Sequence, residues 1–248
     1  MILDLELALA LADAADAISL PRFRTGLTIE TKPDLTPVTE VDRSVEVELG
    51  RLIGDARPDD AILGEEYGVE GDSARRWILD PIDGTKNYSR GVPVWATLIA
   101  LEVEGRVQVG VVTAPSLSRR WWAERGGGAF AGVERLKVSA VARVEDAVLS
   151  FPLDRQLPPM AERAWHVRGI GDFWAHMLVA EGAVDGALDA TGLGVWDLAA
   201  VQVIVEEAGG RFTDVEGQPR IDSGTAVTSN GLLHDDLLAA FAEQVANP

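Results

Sequence analysis

Cysteine is absent from the 248 residues. Disulfides, zinc–thiolate centres and thiol nucleophiles are therefore all excluded. Basic residues are scarce: 22 lysines and arginines face 40 aspartates and glutamates, a formal net charge of −18. Such a chain repels a polyphosphate backbone, which argues against nucleic acid as a partner. A small phosphorylated substrate stays open, provided divalent cations mask the carboxylates around it. No segment is long and apolar enough to span a bilayer, so no membrane partner is expected. Met1 to Leu20 is apolar but carries Asp4, Glu6, Asp13 and Asp16 and no basic residue. It is not a secretory signal, and a soluble, cytoplasmic protein is the expectation. The histidines His166, His176 and His234 are too scattered for a ligand triad and read as structural.

What is present is ordinary globular composition, 47% hydrophobic and 25% charged. The length suits one large domain, 1–248, with a soft internal division into 1–140 and 141–248. Leu7, Leu11, Ala14, Ala15 and Ile18 form one helical stripe, and Pro21 is expected to stop that helix. A second helix fits Val41 to Ile53. Ile62-Leu63 and Arg76 to Leu79 read as strands, the latter ending at Asp80. Trp95 to Val103 and Val107 to Thr113 read as strands paired around Glu104-Gly105. Trp121-Trp122-Ala123 starts another hairpin, with the two indoles on opposite faces. The second half alternates strand (Ala147–Phe151, Val184–Leu188, Arg211–Thr213, Ala226–Thr228) with helix (Asp172–Glu181, Leu198–Glu207 and one from His234). The pattern predicts a layered α/β architecture: an α+β first half and an α/β second half.

The chemistry concentrates in Trp77-Ile78-Leu79-Asp80-Pro81-Ile82-Asp83-Gly84-Thr85. An apolar strand runs into Asp80, and Pro81 keeps Asp80 extended while turning the chain. Asp80 and Asp83 can then face one point, where the carbonyl of Ile82 can join them. Hard cations such as Mg²⁺ take such all-oxygen sets. Gly84 lets the backbone approach closely, and Thr85 opens a short helix whose free N–H groups favour phosphate. An isolated D-x-x-D is usually a polar turn with one aspartate as a cap; here strand, proline, second aspartate, glycine and threonine occur in order. Gly64-Glu65-Glu66 delivers a carboxylate at a strand end. Asp197 and Asp42 each stand at a helix start, where the simple alternative is capping.

Together these residues resemble the inositol monophosphatase superfamily of metal-dependent, lithium-sensitive phosphatases. The resemblance runs end to end, through Pro37-Val38-Thr39-Glu40-Val41-Asp42, Gly64-Glu65-Glu66, Asp80 to Thr85, and Trp196-Asp197 through Glu207-Ala208-Gly209-Gly210. Within the superfamily, three stretches are most similar to histidinol-phosphate phosphatases of the actinobacterial type. They are Lys32 to Thr39, Asp83 to Trp95, and Ser229-Asn230-Gly231-Leu232-Leu233-His234-Asp235. The resemblance implies an αβαβα sandwich, a homodimer, and hydrolysis of a small phosphate monoester with two to three Mg²⁺ ions. It implies that Glu65, Asp80 and the Ile82 carbonyl hold a first ion, and Asp80, Asp83 and Asp197 a second. Asp42 would help with a more weakly held third. Glu65 and Thr85 would orient the attacking water, and the backbone at Gly84 and Thr85 would bind phosphate. Asp172, beside Gly171, and Asp189 are candidate substrate contacts, each with a bland alternative as a helix cap or a solvated loop residue. The segment 190–195 is one residue longer than the family spacing, which leaves the alignment of Asp189 open. Lys86 is either a substrate contact or a solvated helix residue.

Three rivals remain open in the sequence. One is an inositol or fructose-bisphosphate phosphatase with the same metal site. Another is a phosphoaspartyl mechanism, which the extra residue and proline between Asp80 and Gly84 disfavour. The third is a metal-binding regulatory protein without catalysis, which has no use for a phosphate loop.

Overall fold

The computed structural model describes residues 2–32, 37–151, 157–189 and 192–246. Positions 33–36 of the Lys32–Thr39 motif and 190–191 lie outside the described residues. Helices α1 (Asp4–Arg22) and α2 (Glu40–Ala56) cover one face of an eight-stranded sheet, and the hairpin β1 (Ile29–Thr31) and β2 (Pro37–Thr39) joins them. The sheet runs in the order β10 (Glu134–Arg135), β9 (Gly128–Ala131), β8 (Arg119–Glu124), β7 (Arg106–Ala114), β6 (Ala96–Val103), β5 (Arg75–Asp83), β3 (Ala61–Gly64), β4 (Gly68–Glu70). A short helix, α3 (Thr85–Arg90), follows β5 directly. On the opposite face lie α4 (Asp172–Ala180) and α5 (Val195–Glu207). Beyond them is a five-stranded sheet: β12 (His166–Arg168), β11 (Val148–Ser150), β13 (Gly186–Asp189), β15 (Ala226–Ser229), β14 (Arg211–Thr213). Helix α6 (His234–Ala246) closes its outer face. The layers are thus αβαβα, as the resemblance implied.

Alternation along the central strands explains the layering. Ile99, Leu101, Val109, Val111, Trp77 and Leu79 pack against α1 and α2, whereas Leu98, Ala100, Val112 and Ile78 point toward α4 and α5. Both faces are buried, so these strands read as near-continuous apolar runs. Trp121 belongs to the second face and Trp122 packs on the first, as the sequence predicts. Helix α5 has few polar positions; Leu198 through Val205 are all buried between the two sheets.

Several boundaries differ from the sequence expectation. Pro21 sits within the last turn of α1, one residue from its end. A proline is tolerated there because the single bond it removes lies in the fraying turn. Strand β5 does not end at Asp80 but continues to Asp83, through an irregularity described below. Helix α5 begins at Val195, before Leu198. The second sheet mixes parallel pairs (β11 with β12 and β13) with antiparallel ones (β15 with β13 and β14). The strands that the sequence did not signal, β1, β2, β4, β10 and β12, have two or three residues each, too few for a period to show.

Gly110 is the point where α5 meets the sheet. A Cβ there would lie 2.5 Å from Val203 Cγ1 and 2.8 Å from the Ala200 carbonyl oxygen. Backbone cannot yield cheaply, so Gly110→Ala overpacks the interface by about 1–3 kcal/mol. For a chain of this size the thermal midpoint should fall by roughly 2–4 °C per kcal/mol. An unchanged midpoint in a calorimetric scan would contradict the close α5–β7 contact.

Candidate active site

Strand register brings the acidic residues together. β3 and β5 run parallel, with Gly64 beside Leu79, and Glu65 N–H donates to the Leu79 carbonyl at 3.2 Å. The next residues, Glu65 just past the end of β3 and Asp80 within β5, therefore stand side by side. Gly64 leaves room beneath that turn: a Cβ there would fall 1.8 Å from Glu46 Oε1. Glu46 instead accepts the N–H groups of Glu66 and Tyr67, both at 2.9 Å, and fixes the turn.

Asp80 and Asp83 are three residues apart, and in a regular strand they would point to opposite faces. Against β6, however, Asp80 pairs with Leu98 and Asp83 with Ala96, so β5 spends an extra residue between them. That bulge restores both carboxylates to one face. Pro81, which cannot donate to the ladder, sits inside it, and its carbonyl accepts from Thr97 Oγ1 at 2.7 Å. The third carboxylate comes from across the core. Asp197 stands in the first turn of α5, and its Oδ2 accepts the Gly194 N–H at 2.5 Å. It caps from inside the helix, not from before it as the sequence reading allowed.

Ligand oxygens of Asp80, Asp83 and Asp197 lie within 4.8 Å of one another, a grouping that can hold a metal ion. Asp80 is 1% exposed, and its Oδ1 has no hydrogen-bond partner. A buried carboxylate oxygen without a donor is what a hard cation satisfies. Burial, then Glu65, Asp83 and Asp197, holds Asp80 well above the usual carboxylate range. Burial, then Asp172 and Asp197, does the same to Asp83, although the Phe173 N–H partly opposes it. Asp197 is pushed up to about 7, chiefly by burial, with Glu65 and Asp189 adding.

The other expected residues surround this cluster. Asp42, in the first turn of α2, accepts from Thr39 N at 2.9 Å and Thr39 Oγ1 at 2.5 Å through Oδ2. Its Oδ1 faces Thr85 Oγ1 at 3.3 Å, and that hydroxyl also lies 2.9 Å from the Ile82 carbonyl. Burial raises the Asp42 pKa. Glu65 is engaged by Lys32 Nζ at 2.8 Å, and the same ammonium reaches Glu66 at 2.5 Å. Gly84, with φ 80°, forms the N-cap of α3. A cleft of about 470 Å³ joins Glu65, Gly84, Thr85 and the carboxylate cluster to Lys86, Asp172, Asp189, His176, Leu193 and Trp196, among others.

Asp172 does not cap its helix. It is the first residue of α4, with φ 55°, and the following N–H, of Phe173, is taken by Asp83 Oδ2 at 2.7 Å. The capping alternative is thereby removed: a carboxylate from the other sheet caps α4. Left-handed backbone at an aspartate is uncommon and holds where the surroundings dictate it. Burial raises the Asp172 carboxyl pKa, with Lys86 opposing. Asp189 ends β13 in the same cleft, close enough to raise Asp197. Lys86 is exposed at the cleft's rim.

An inositol monophosphatase family model matches residues 4–246. The chain belongs to that family. It is 51% identical to a histidinol-phosphatase from Mycobacterium tuberculosis, covering 95% of this chain and 96% of that one. It is 49% identical to a histidinol-phosphatase from Streptomyces coelicolor, with 95% of each chain covered. A solved inositol monophosphatase from Thermotoga maritima superposes with a TM-score of 0.88 at 32% identity, covering 98% of both chains. Membership makes this chain an enzyme, a phosphoric monoester hydrolase.

Sequence reasoning missed Glu46 beside this family site, met Lys32, Asn87 and Trp196 only within motifs, and read His176, which lines the cleft, as structural. Glu46 lies one helical turn after Asp42 on α2, a spacing that signals a shared face. Asn87 Nδ2 donates to the Val94 carbonyl at 2.8 Å and pins the loop after α3.

The carboxylate shifts dictate a pH dependence of stability without cations. Asp197 carries a folded pKa of about 7 against 3.8 unfolded, so the folded state binds more protons than the unfolded one between these values. Its contribution therefore falls as pH rises toward about 7 and beyond. The buried His176 and His234, pulled down to about 4, act oppositely, but only below their unfolded value of about 6.5. In chelator, the thermal midpoint should thus decline between pH 6.5 and 8, and Asp197→Asn should flatten the decline. Excess divalent cation at pH 8 should raise it. A midpoint equally steep in the variant, or indifferent to divalent cations, would contradict the assignment.

Proposed function

We propose that this phosphatase hydrolyses L-histidinol phosphate to L-histidinol and phosphate, with Mg²⁺ held by Asp80, Asp83, Asp197, Glu65 and the Ile82 carbonyl. The observation that carries the reading is the pair of extra carboxylates, Asp172 and Asp189, in the cleft beside the metal cluster. Inositol phosphates offer only hydroxyls, whereas histidinol phosphate carries an ammonium that such carboxylates bind strongly. The histidinol-phosphatase relatives support it at 51% and 49% identity. The inositol-1-monophosphatase of Mesorhizobium japonicum, at 36%, supports the alternative of inositol phosphate hydrolysis.

The donor set fits the cation: every ligand is oxygen, and Asp80 Oδ1 is otherwise unsatisfied. Bound there, divalent cations would neutralise the phosphoryl and leaving oxygens and lower the pKa of a water. The chain's own residues do the rest. The backbone N–H groups opening α3 at Gly84 and Thr85 orient the phosphate. Thr85 Oγ1 accepts a hydrogen bond from the attacking water and donates its own to the Ile82 carbonyl or Asp42 Oδ1, of which only the carboxylate can take up a proton. Asp42, with its raised pKa, is suited to hold that proton. Glu65 supplies a second acceptor on the same side. Asp83, between cation and α4, aligns the phosphoryl site with the wall carrying Asp172.

Kinetics on L-histidinol phosphate, inositol 1-phosphate and fructose 1,6-bisphosphate test the substrate. The first should have the highest kcat/KM by about tenfold or more, a difference of ~1.4 kcal/mol in barrier. Preference for inositol phosphate would overturn the reading. Asp83→Asn should retain less than about a tenth of wild-type turnover while unfolding cooperatively. Turnover above that in a folded variant would remove Asp83 from the metal set.

A further inference from the structure

His176 takes part in none of the steps above, yet it lines the same cleft. It stands on α4 one turn after Asp172, and that spacing places both on one helix face. The residue is 3% exposed, and its Nδ1 lies 2.8 Å from Thr228 Oγ1 on β15. Thr228 is fully buried. Among the described residues, its hydroxyl has no acceptor other than that nitrogen. A buried hydroxyl proton needs an acceptor, so Thr228 donates and Nδ1 accepts. The ring proton then sits on Nε2. Burial pulls the imidazole pKa down to about 4, so the ring is uncharged at neutral pH. Thr228 thus holds a neutral N–H donor in a cleft that also carries the carboxylates of Asp172 and Asp189.

We propose that His176 determines specificity for the leaving group, its Nε2–H donating to an uncharged ring nitrogen of the substrate alcohol. The substrate class is a phosphate ester whose alcohol carries both an ammonium group and an azole ring. The two recognition elements are complementary: carboxylates bind the cation, and the imidazole binds the ring's lone pair. A donor that cannot lose or gain charge also discriminates against leaving groups that offer a second cation at that position. This assignment rests on the histidinol phosphate reading given above.

The test compares L-histidinol phosphate with O-phosphoethanolamine, which keeps the amine and lacks the ring. The wild-type enzyme should prefer the first in kcat/KM. His176→Leu should reduce that preference at least tenfold, mainly through KM. His176→Gln, whose side-chain amide can donate from a similar place, should recover most of it. Asp172→Asn should instead weaken both amine substrates to a similar degree. Equal losses on both substrates in His176→Leu, or a Gln variant no better than Leu, would overturn the proposal. Nitrogen-15 spectra of the unsubstituted protein give a readout that needs neither variant nor substrate. Nδ1 should show as the bare nitrogen and Nε2 as the protonated one; the reverse tautomer would also overturn it. If the wild type fails to cleave L-histidinol phosphate, the function reading falls, and this specificity role falls with it. A Nε2–H tautomer would then still describe His176.

Discussion

Three carboxylates confined within 4.8 Å of one another, largely out of water, repel each other. If all were ionised, each pair would cost on the order of 3 kcal/mol at an effective dielectric of about 20. Nothing local would assemble them; the fold has to. The parallel β3–β5 register sets Glu65 beside Asp80, the bulge at Pro81 turns Asp83 to the same face, and α5 delivers Asp197. The packing of both sheets against α5 opposes the repulsion. The close contact at Gly110 is part of that support. The raised carboxylate pKa values express burial first and this repulsion second.

The repulsion is also what makes the site useful. A pocket that is costly without positive charge binds multivalent cations, and those cations in turn make an acidic protein a fit host for a phosphate ester. The structure places a cation of its own there. Lys32, just after β1, reaches Glu65 and Glu66. Asp83 links the two halves of the cleft, since it belongs to the carboxylate cluster and also caps α4 at Phe173. Whatever orders Asp83 therefore orders the wall that carries Asp172 and His176.

Much of this was legible in the sequence because it is local. Asp80 to Thr85 announces strand, turn and helix in order, and the apolar runs of β6 and β7 announce a sheet buried on both faces. The layered α/β class followed from the strand–helix pattern, and the αβαβα order from the resemblance those motifs carry. What escaped was tertiary. The contact between Thr85 and Asp42 spans 43 positions, and the Glu46 carboxylate acts on a turn 20 residues ahead. Asp172 kept a cap as its alternative to a substrate contact because aspartate at a helix start usually is one. Only the fold reveals that Asp83 satisfies that helix instead. The start of α5 was misplaced because Gly194-Val195-Trp196 carries no strong N-cap signal, and Asp197 reaches back from the first turn to do that work. Edge strands of two or three residues are held by their neighbours and leave no periodic trace.

The most direct test of the central claim, that buried carboxylate repulsion creates the cation site, is the proton count on cation binding. Ligands raised above their ordinary pKa must release protons when a metal takes their oxygens. Calorimetric titration of the chelator-stripped protein with Mg²⁺ near pH 6.5, in buffers of different ionisation enthalpy, yields that count. The account predicts net proton release, smaller in Asp197→Asn and decreasing as the pH is raised through about 7. Mg²⁺ binding without proton release, or with the same release in the variant, would contradict it.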